Sequence, residues 1–451
     1  MAEGAVGAGP EAMKIAIVGS GISGSMAAYQ LHREHEITVF EADQRIGGHS
    51  NTVDVAIQGC SYAIDTGFIV FNDKTYPNFV NLLDELGVPT QPSEMSFSVR
   101  CELSGLEYNG ASINSLFAQR RNLLRPRFYR MLLDILRFNR EAAKVLQLDE
   151  HDVTLDEFLH QGAYSPEFIR HYILPMGAAI WSAGPEGMGG VPVGFFVRFF
   201  HNHGLLSVND RPSWRVIRGG SKQYVNKLVA GFLDRIWLNT PVEWIRRQPG
   251  YVELKARGLK VQKFDQVFLA CHSDQALALL QDPSKAEREV LGAIAYQRNE
   301  AVLHTDASLM PRSKRAWAAW NYHLLRDTAG GIRNAAARDG KVSLSYNMNI
   351  LQSLQAPVDF LVTLNHRDAV DPAKIIAAFE YDHPVFDRAA VAAQQRHREL
   401  NGQQGTYYCG AYWRNGFHED GVVSAINAVK HFEQDQSIDQ QAVAQQRSRA
   451  A

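Results

Sequence analysis

A chain of 451 residues exceeds what one hydrophobic core ordinarily serves, so two domains or one elaborated α/β domain are expected. With 45% hydrophobic and 21% charged residues the chain reads as ordinarily globular, and a formal net charge of -2 excludes a global pull towards nucleic acid. Four widely spaced cysteines (Cys60, Cys101, Cys271, Cys409) show no CxxC or metal-ligand spacing, and no run of 18 or more apolar residues occurs, so the expectation is a cytoplasmic protein with reduced thiols, no metal and no bilayer span.

Residues 1–12 lack the basic and apolar regions of a secretion signal and read as a disordered extension. Lys14 to Val18 is a short apolar, largely β-branched run; Gly19-Ser20-Gly21-Ile22-Ser23-Gly24 follows, then Met26, Ala27, Ala28 and Leu31 at helical spacing. That order is strand, tight turn, helix. Gly19 permits the turn, Gly21 lets a pyrophosphate approach the backbone, and Gly24 lets the helix lie close on the sheet, with the phosphates at a helix N-terminus. Ile37 to Phe40 is a second strand ending at Glu41, whose carboxylate suits an adenosine ribose and would repel a 2′-phosphate. The ligand read from these residues is NAD or FAD, not NADP.

Arg45-Ile46-Gly47-Gly48-His49 is either a second phosphate-facing glycine turn or a surface turn; its place behind a complete fingerprint favours the ligand. Asp65-Thr66-Gly67-Phe68 leads into the apolar Ile69-Val70-Phe71, and a helix is expected over 76–86. A second helix is expected from Asn122 to Leu146, with Leu124, Phe128, Met131, Leu132, Ile135, Ala142 and Leu146 on one face. Arg120, Arg121, Arg125, Arg127, Arg130, Arg137, Arg140 and Lys144 oppose only Asp134 and Glu141 there, a pattern shared by surface helices and by helices lying on an anionic membrane. Phe195, Phe196, Phe199 and Phe200 then read as aromatic core or as the wall of a tunnel for a long apolar substrate.

Strands are expected over 238–245, 251–256 and 266–270, and a helix over 273–280. From Ala301 to Leu364 period-2 segments imply an antiparallel sheet carrying Trp320, Asn321, Tyr322, Tyr346, Asn347 and Asn349. Near Asp420 a helix begins, where Glu419 and Asp420 would serve as capping residues. The tail from residue 433, rich in Gln, Ser and Arg, reads as disordered.

The GSGISG turn, Glu41, the RIGGH turn and the DTGF loop, in this order, resemble the flavin-containing amine oxidase and phytoene desaturase superfamily. Most members have Arg after the paired glycines, where this chain has His49. The segments MGAAIWS, LHTD, WNY, YNMN, TLN and GFHEDG narrow the resemblance to bacterial FAD-dependent oxidoreductases related to the furan fatty acid desaturase and to the N-terminal region of plant cyclopropane fatty acid synthases. The resemblance implies an α/β fold: a three-layer Rossmann-type FAD-binding domain (13–75, 207–285, 400–432) and a discontinuous substrate domain of antiparallel sheet with helices (76–206, 286–399). It implies FAD contacts from Gly19, Gly21, Ile22, Ser23, Gly24, Glu41, Ala42, Arg45, Gly47, Gly48, His49, Gly67 and Phe68, with Val242 against the adenine. Gly410, Phe417, Glu419, Asp420 and Gly421 would close the site at the flavin, and Trp181, Tyr322, Trp413 and Asn415 are the candidates for the reaction centre.

A flavin enzyme needs no conspicuous catalytic side chain, and no HExxH, GxSxG or Walker signature is present. Gly187-Met188-Gly189-Gly190 lacks the strand context of a second dinucleotide motif, so oxygen, a quinone or another acceptor is expected to reoxidise the flavin. Covalent attachment would fall at Cys409 or His49, although a thiol such as Cys409 more often packs as a small buried group. The leading reading is desaturation of a fatty acyl chain in a phospholipid, with peripheral contact at the inner membrane face through Asn122 to Leu146. The alternatives are an oxidase of a small amine or polyamine and a non-catalytic flavoprotein partner of a lipid methyltransferase.

Overall fold

The run Ile15 to Val18 is buried throughout, so it needs a strand on each side and cover on both faces. The structure, a computed structural model describing residues 12–146, 153–207, 212–325 and 343–450, supplies both. Lys14–Val18 pairs in parallel with Glu36–Phe40 and Gln266–Leu269, and Ile236–Trp237 and Thr406–Tyr408 complete a five-stranded parallel sheet. On one face Phe432, from the long helix His418–Ala450, meets Phe268 and Tyr407 at ring distances of 5.9 and 5.6 Å. On the other, Phe264 meets Phe40 at 5.9 Å. Phe264 ends the antiparallel sheet of Val242–Gln248, Tyr251–Ala256 and Gln262–Phe264. Helix, parallel sheet and antiparallel sheet are the three layers of a Rossmann-type α/β domain.

This unit comprises Met1–Gly48, Val225–Ala293 and Ala393–Ala451; a second comprises His49–Tyr224 and Ile294–Ala392. The expected boundaries near 75 and 207 are therefore displaced to 48 and 224. The cause is a small sheet in which Trp214–Ile217 takes Val70–Asn72 on one side and Thr90–Pro92 on the other, which ties those flanking segments to the second unit. Conversely, the helix Lys285–Leu291 belongs to the first unit, because Arg247 is held by both oxygens of Glu287 at 2.5 and 3.0 Å. The Tyr408 hydroxyl donates to the same carboxylate and Asp282 adds a contact at 3.1 Å, so the buried Arg247 charge is paired.

The second unit carries a seven-stranded sheet in the order Ile375–Pro384, Tyr296–His304, Leu361–Leu364, Leu344–Asn347, Trp320–Leu324, Phe97–Cys101, Glu107–Asn109. It is antiparallel except where Trp320–Leu324 meets Phe97–Cys101 in parallel, so the sheet is mixed. Most of its polar members are structural. The Ser98 hydroxyl donates to Asn321 at 2.8 Å, Ser345 and Thr363 hydroxyls meet at 2.7 Å, and Thr363 meets His304 at 2.7 Å. Burial lowers the His304 pKa to about 4. Asn347 caps the short helix Met348–Leu351, and Asn349 binds Val358 and Phe360 backbone groups.

Three expectations change. The strand over 238–245 is interrupted, because Asn239 is left-handed at φ 52° and Pro241 follows; only Ile236–Trp237 joins the parallel sheet. The helix from Asn122 begins at Pro126 instead, after a 3-10 turn Arg120–Leu124 and an extended Arg125, as a residue before proline prefers. Leu124 consequently leaves the buried face and is 88% exposed. The tail from 433 is helical through Ala450: no glycine or proline follows Gly421, and Gln, Ala, Lys and Arg extend a helix readily. The expected extension at residues 1–11 lies outside the described residues.

Replacing Glu287 by Ala should leave the Arg247 guanidinium buried without its main counter-charge. Equilibrium unfolding in denaturant is expected to show a loss of about 3–5 kcal/mol, of the size seen when one partner of a buried pair is removed.

Candidate functional site

Gly19 has φ 102°, and a Cβ there would stand 2.9 Å from the Ala270 carbonyl oxygen. Only glycine fits. The helix Ile22–Leu31 then starts so close to the strand that a Cβ on Gly24 would stand 2.0 Å from the Gly19 carbonyl oxygen. Gly21 differs from both: nothing lies within 4 Å of its Cβ position, no side chain caps the helix, and no acidic residue occupies its first turn. The positive end of the helix faces open space, the condition for an anion.

The remaining first-unit residues gather round this turn. The Gly47 N–H donates to Ser20 at 3.1 Å, and a Cβ on Gly48 would lie 3.2 Å from Gly21 Cα, so the second glycine turn closes over the first. Glu41 is oriented rather than free: its carboxylate accepts from the Ser20 N–H at 2.8 Å, the Ser20 hydroxyl at 2.5 Å and the Asp43 N–H at 2.8 Å. About four lone-pair positions are available to a carboxylate, which leaves room for a ribose hydroxyl. Ala42 lies between these two acids in the chain, and Arg45 makes an ion pair with Asp43 at 3.4 Å. Glu41 backbone groups also bond to Trp237 and Thr240, which brings the start of Val242–Gln248, and with it half-buried Val242, beside the ribose acid.

The helix His418–Ala450 reaches the same place from the other end of the chain. A Cβ on Gly421 would stand 2.7 Å from Ile22 Cγ2, and the Ser23 hydroxyl donates to the Gly421 carbonyl at 3.0 Å. Two helix N-termini thus converge. Ahead of the second, the Gly410 N–H donates to Ser424, and buried Asp420 accepts from the Asn415 and Phe417 N–H groups at 3.2 and 2.9 Å. Burial raises the Asp420 carboxyl to about 6 against those bonds and against Arg414; neighbouring Glu419 is buried too. Trp413 stacks on His397 at 4.1 Å, and its buried indole N–H has no acceptor among the described residues.

His49, Gly67 and Phe68 fall in the second unit. There the His49 carbonyl accepts from the Phe68 N–H at 2.8 Å, a Cβ on Gly67 would stand 2.2 Å from that carbonyl oxygen, and the His49 ring lies 4.8 Å from Tyr381. Of the reaction-centre candidates, Trp413 and Asn415 are in the first unit and Trp181 and Tyr322 in the second. Tyr322 is wholly buried in its sheet, and Trp181 packs on Phe195, Phe196 and Phe199. Cys409 is buried, and desolvation pushes its thiol well above the ordinary range.

Sequence reasoning missed Ser20, Ala270 and Ser424 as supports of the first-unit site, and Tyr381 as the partner of His49 within the second unit. Ser20 alone carried a signal, as a hydroxyl inside the glycine turn. The residues present fit FAD: an open helix N-terminus for the pyrophosphate, a pre-oriented carboxylate for the ribose, and a second helix N-terminus with an unpartnered indole N–H.

The two glycines separate folding from binding. Gly21→Ala should fold with an unchanged melting temperature yet bind FAD at least tenfold more weakly by fluorescence titration, because its methyl enters only the anion space. Gly24→Ala should lower the melting temperature with or without FAD.

Residues 22–306 match the sequence profile described as flavin containing amine oxidoreductase. A Mycobacterium tuberculosis protein provisionally named flavin-containing monoamine oxidase AofH is 28% identical over 247 residues, 53% of this chain and 52% of that one. The chain thus spans about half the length of the curated relatives it matches. Among solved structures, cyclohexylamine oxidase from Brevibacterium oxydans superposes with a TM-score of 0.66 at 16% identity, over 94% of this chain and 100% of that one. A CLA-producing fatty acid isomerase from P. acnes gives 0.65 at 16% identity, over 93% and 98%. These two likenesses show the fold. The matched profile, which covers more than half of the chain, shows the family: the chain belongs to the flavin-containing amine oxidoreductases, enzymes whose usual cofactor is FAD.

Proposed function

We propose that this FAD-dependent oxidoreductase desaturates a fatty acyl chain, held as a phospholipid ester. When bound, FAD supplies a two-electron acceptor for a hydride from a C–H bond. Loss of that hydride and of a proton from the adjacent carbon leaves a C=C bond, and oxygen or a quinone takes the electrons onward. The chain's own part is to bind, orient and exclude water. Glu41 and the glycine turn fix the nucleotide end, and the loop that Asp420 organises sets Asn415 and Phe417 at the start of the C-terminal helix.

The observation that carries the apolar substrate is the exposed part of one aromatic ring in the second unit, backed by buried aromatics. Phe196, Phe199 and Phe200 prove to be core, but Phe195 is only half-buried, lying 5.8 Å from Trp181 and 5.1 Å from Phe386. Such a surface offers dispersion and desolvation to a hydrocarbon. The resemblance of MGAAIWS, LHTD, WNY, YNMN, TLN and GFHEDG to bacterial FAD-dependent oxidoreductases related to the furan fatty acid desaturase supports the same reading. A second reading, oxidation of a small amine, is favoured by the names of the curated relatives and of cyclohexylamine oxidase.

Incubation of the holoprotein with phospholipid and an electron acceptor, followed by mass spectrometry of the released fatty acids, is expected to show loss of two hydrogens from an acyl chain. Unchanged acyl masses together with peroxide release from an amine panel would replace the acyl reading by the amine one.

A further inference from the structure

The helix Pro126–Val145 presents two unlike faces. Inward, Phe128, Met131, Phe138 and Ala142 are buried, and Phe138 meets Phe158, Tyr164 and Phe168. Both carboxylates of the helix serve this side. Asp134 accepts the Ser165 N–H at 2.9 Å and Glu141 accepts the Tyr164 hydroxyl at 2.6 Å. Arg137 lies 3.5 and 3.9 Å from the two acids, with its guanidinium 3.8 Å from the Tyr164 ring centre.

Outward, Tyr129, Leu133, Leu136 and Arg140 follow at helical spacing along one stripe. Leu133 is 67% and Leu136 59% exposed, and the preceding turn adds exposed Leu123 and Leu124. Half of the large apolar side chains exposed among the described residues lie between Ile113 and Leu136. Arg130, Arg140 and Lys144 are also exposed, and among the described residues none has a carboxylate within ion-pair distance. A face that combines unshielded leucines with unneutralised cations, while its acids turn inward, is poorly suited to water and well suited to an anionic interface.

We propose that this face docks on an anionic phospholipid membrane: the leucines enter the boundary between headgroups and acyl chains, and the arginines and lysine meet the phosphates. No helix among the described residues is long and apolar enough to cross a membrane, and surface attachment needs none. The inference does not depend on the acyl-chain reading, since binding requires no turnover.

Flotation of the holoprotein with phosphatidylglycerol–phosphatidylcholine vesicles tests it. Expected are binding to these vesicles, at least tenfold weaker binding to phosphatidylcholine alone, and release as salt rises from ~0.1 to ~0.5 M, where exposed charges are screened. The double variant Leu133→Glu/Leu136→Glu and the variant Arg130→Gln/Arg140→Gln/Lys144→Gln should each bind at least tenfold less, with FAD content and melting temperature unchanged. Equal flotation of either variant, no binding to anionic vesicles at low salt, or a self-associating chain whose dimer both variants abolish, would overturn the proposal.

Discussion

Everything at the nucleotide end depends on one close approach, that of the Ile22–Leu31 helix to its own strand and to the C-terminal helix. A single Cβ at Gly24 would collide with the Gly19 carbonyl, and one at Gly421 would press on Ile22. Side chains are missing where backbones must touch, so two helix N-termini, nearly four hundred residues apart in sequence, can face one region. The partial positive charge of the Ile22–Leu31 helix is left without a protein anion at Gly21, whereas the second end carries Glu419 and Asp420. An anionic cofactor then stabilises a local electrostatic arrangement that the apoprotein leaves unmatched.

How much of this was legible in the residues varies with the range of the interaction. The strand, turn and helix of the fingerprint are local, and they occur as read; so does the acid at Glu41. Glu41's partners are also nearly local, since Ser20 sits inside the turn. What could not be read was long-range. The strand Ile375–Pro384 has alanine and glutamate where β-branched residues would announce it, and it exists because it pairs along the full length of Tyr296–His304. The domain boundary moved for the same reason: pairing of Trp214–Ile217 with two earlier segments overrides any composition signal.

The basic helix illustrates a subtler failure. Its apolar periodicity was real, but the proline at 126 reset the start, so Leu124 lies outside the buried stripe rather than within it. Apolar side chains sit on both faces of the helix, and sequence periodicity alone cannot say which face meets the core. Aromatic packing around Phe138 decides the inner face and leaves the other to the surroundings. The polar ladder through Ser98, Asn321, Ser345, Thr363 and His304 works the opposite way: residues that look like chemistry are consumed in holding a sheet together.

The most direct measurement is the visible spectrum of the full-length protein as isolated, with titration of FAD into protein stripped of it. Flavin absorption and saturable uptake of a single FAD per chain are expected. A colourless protein that takes up none with FAD in excess would contradict the convergence of the two helix ends on one cofactor.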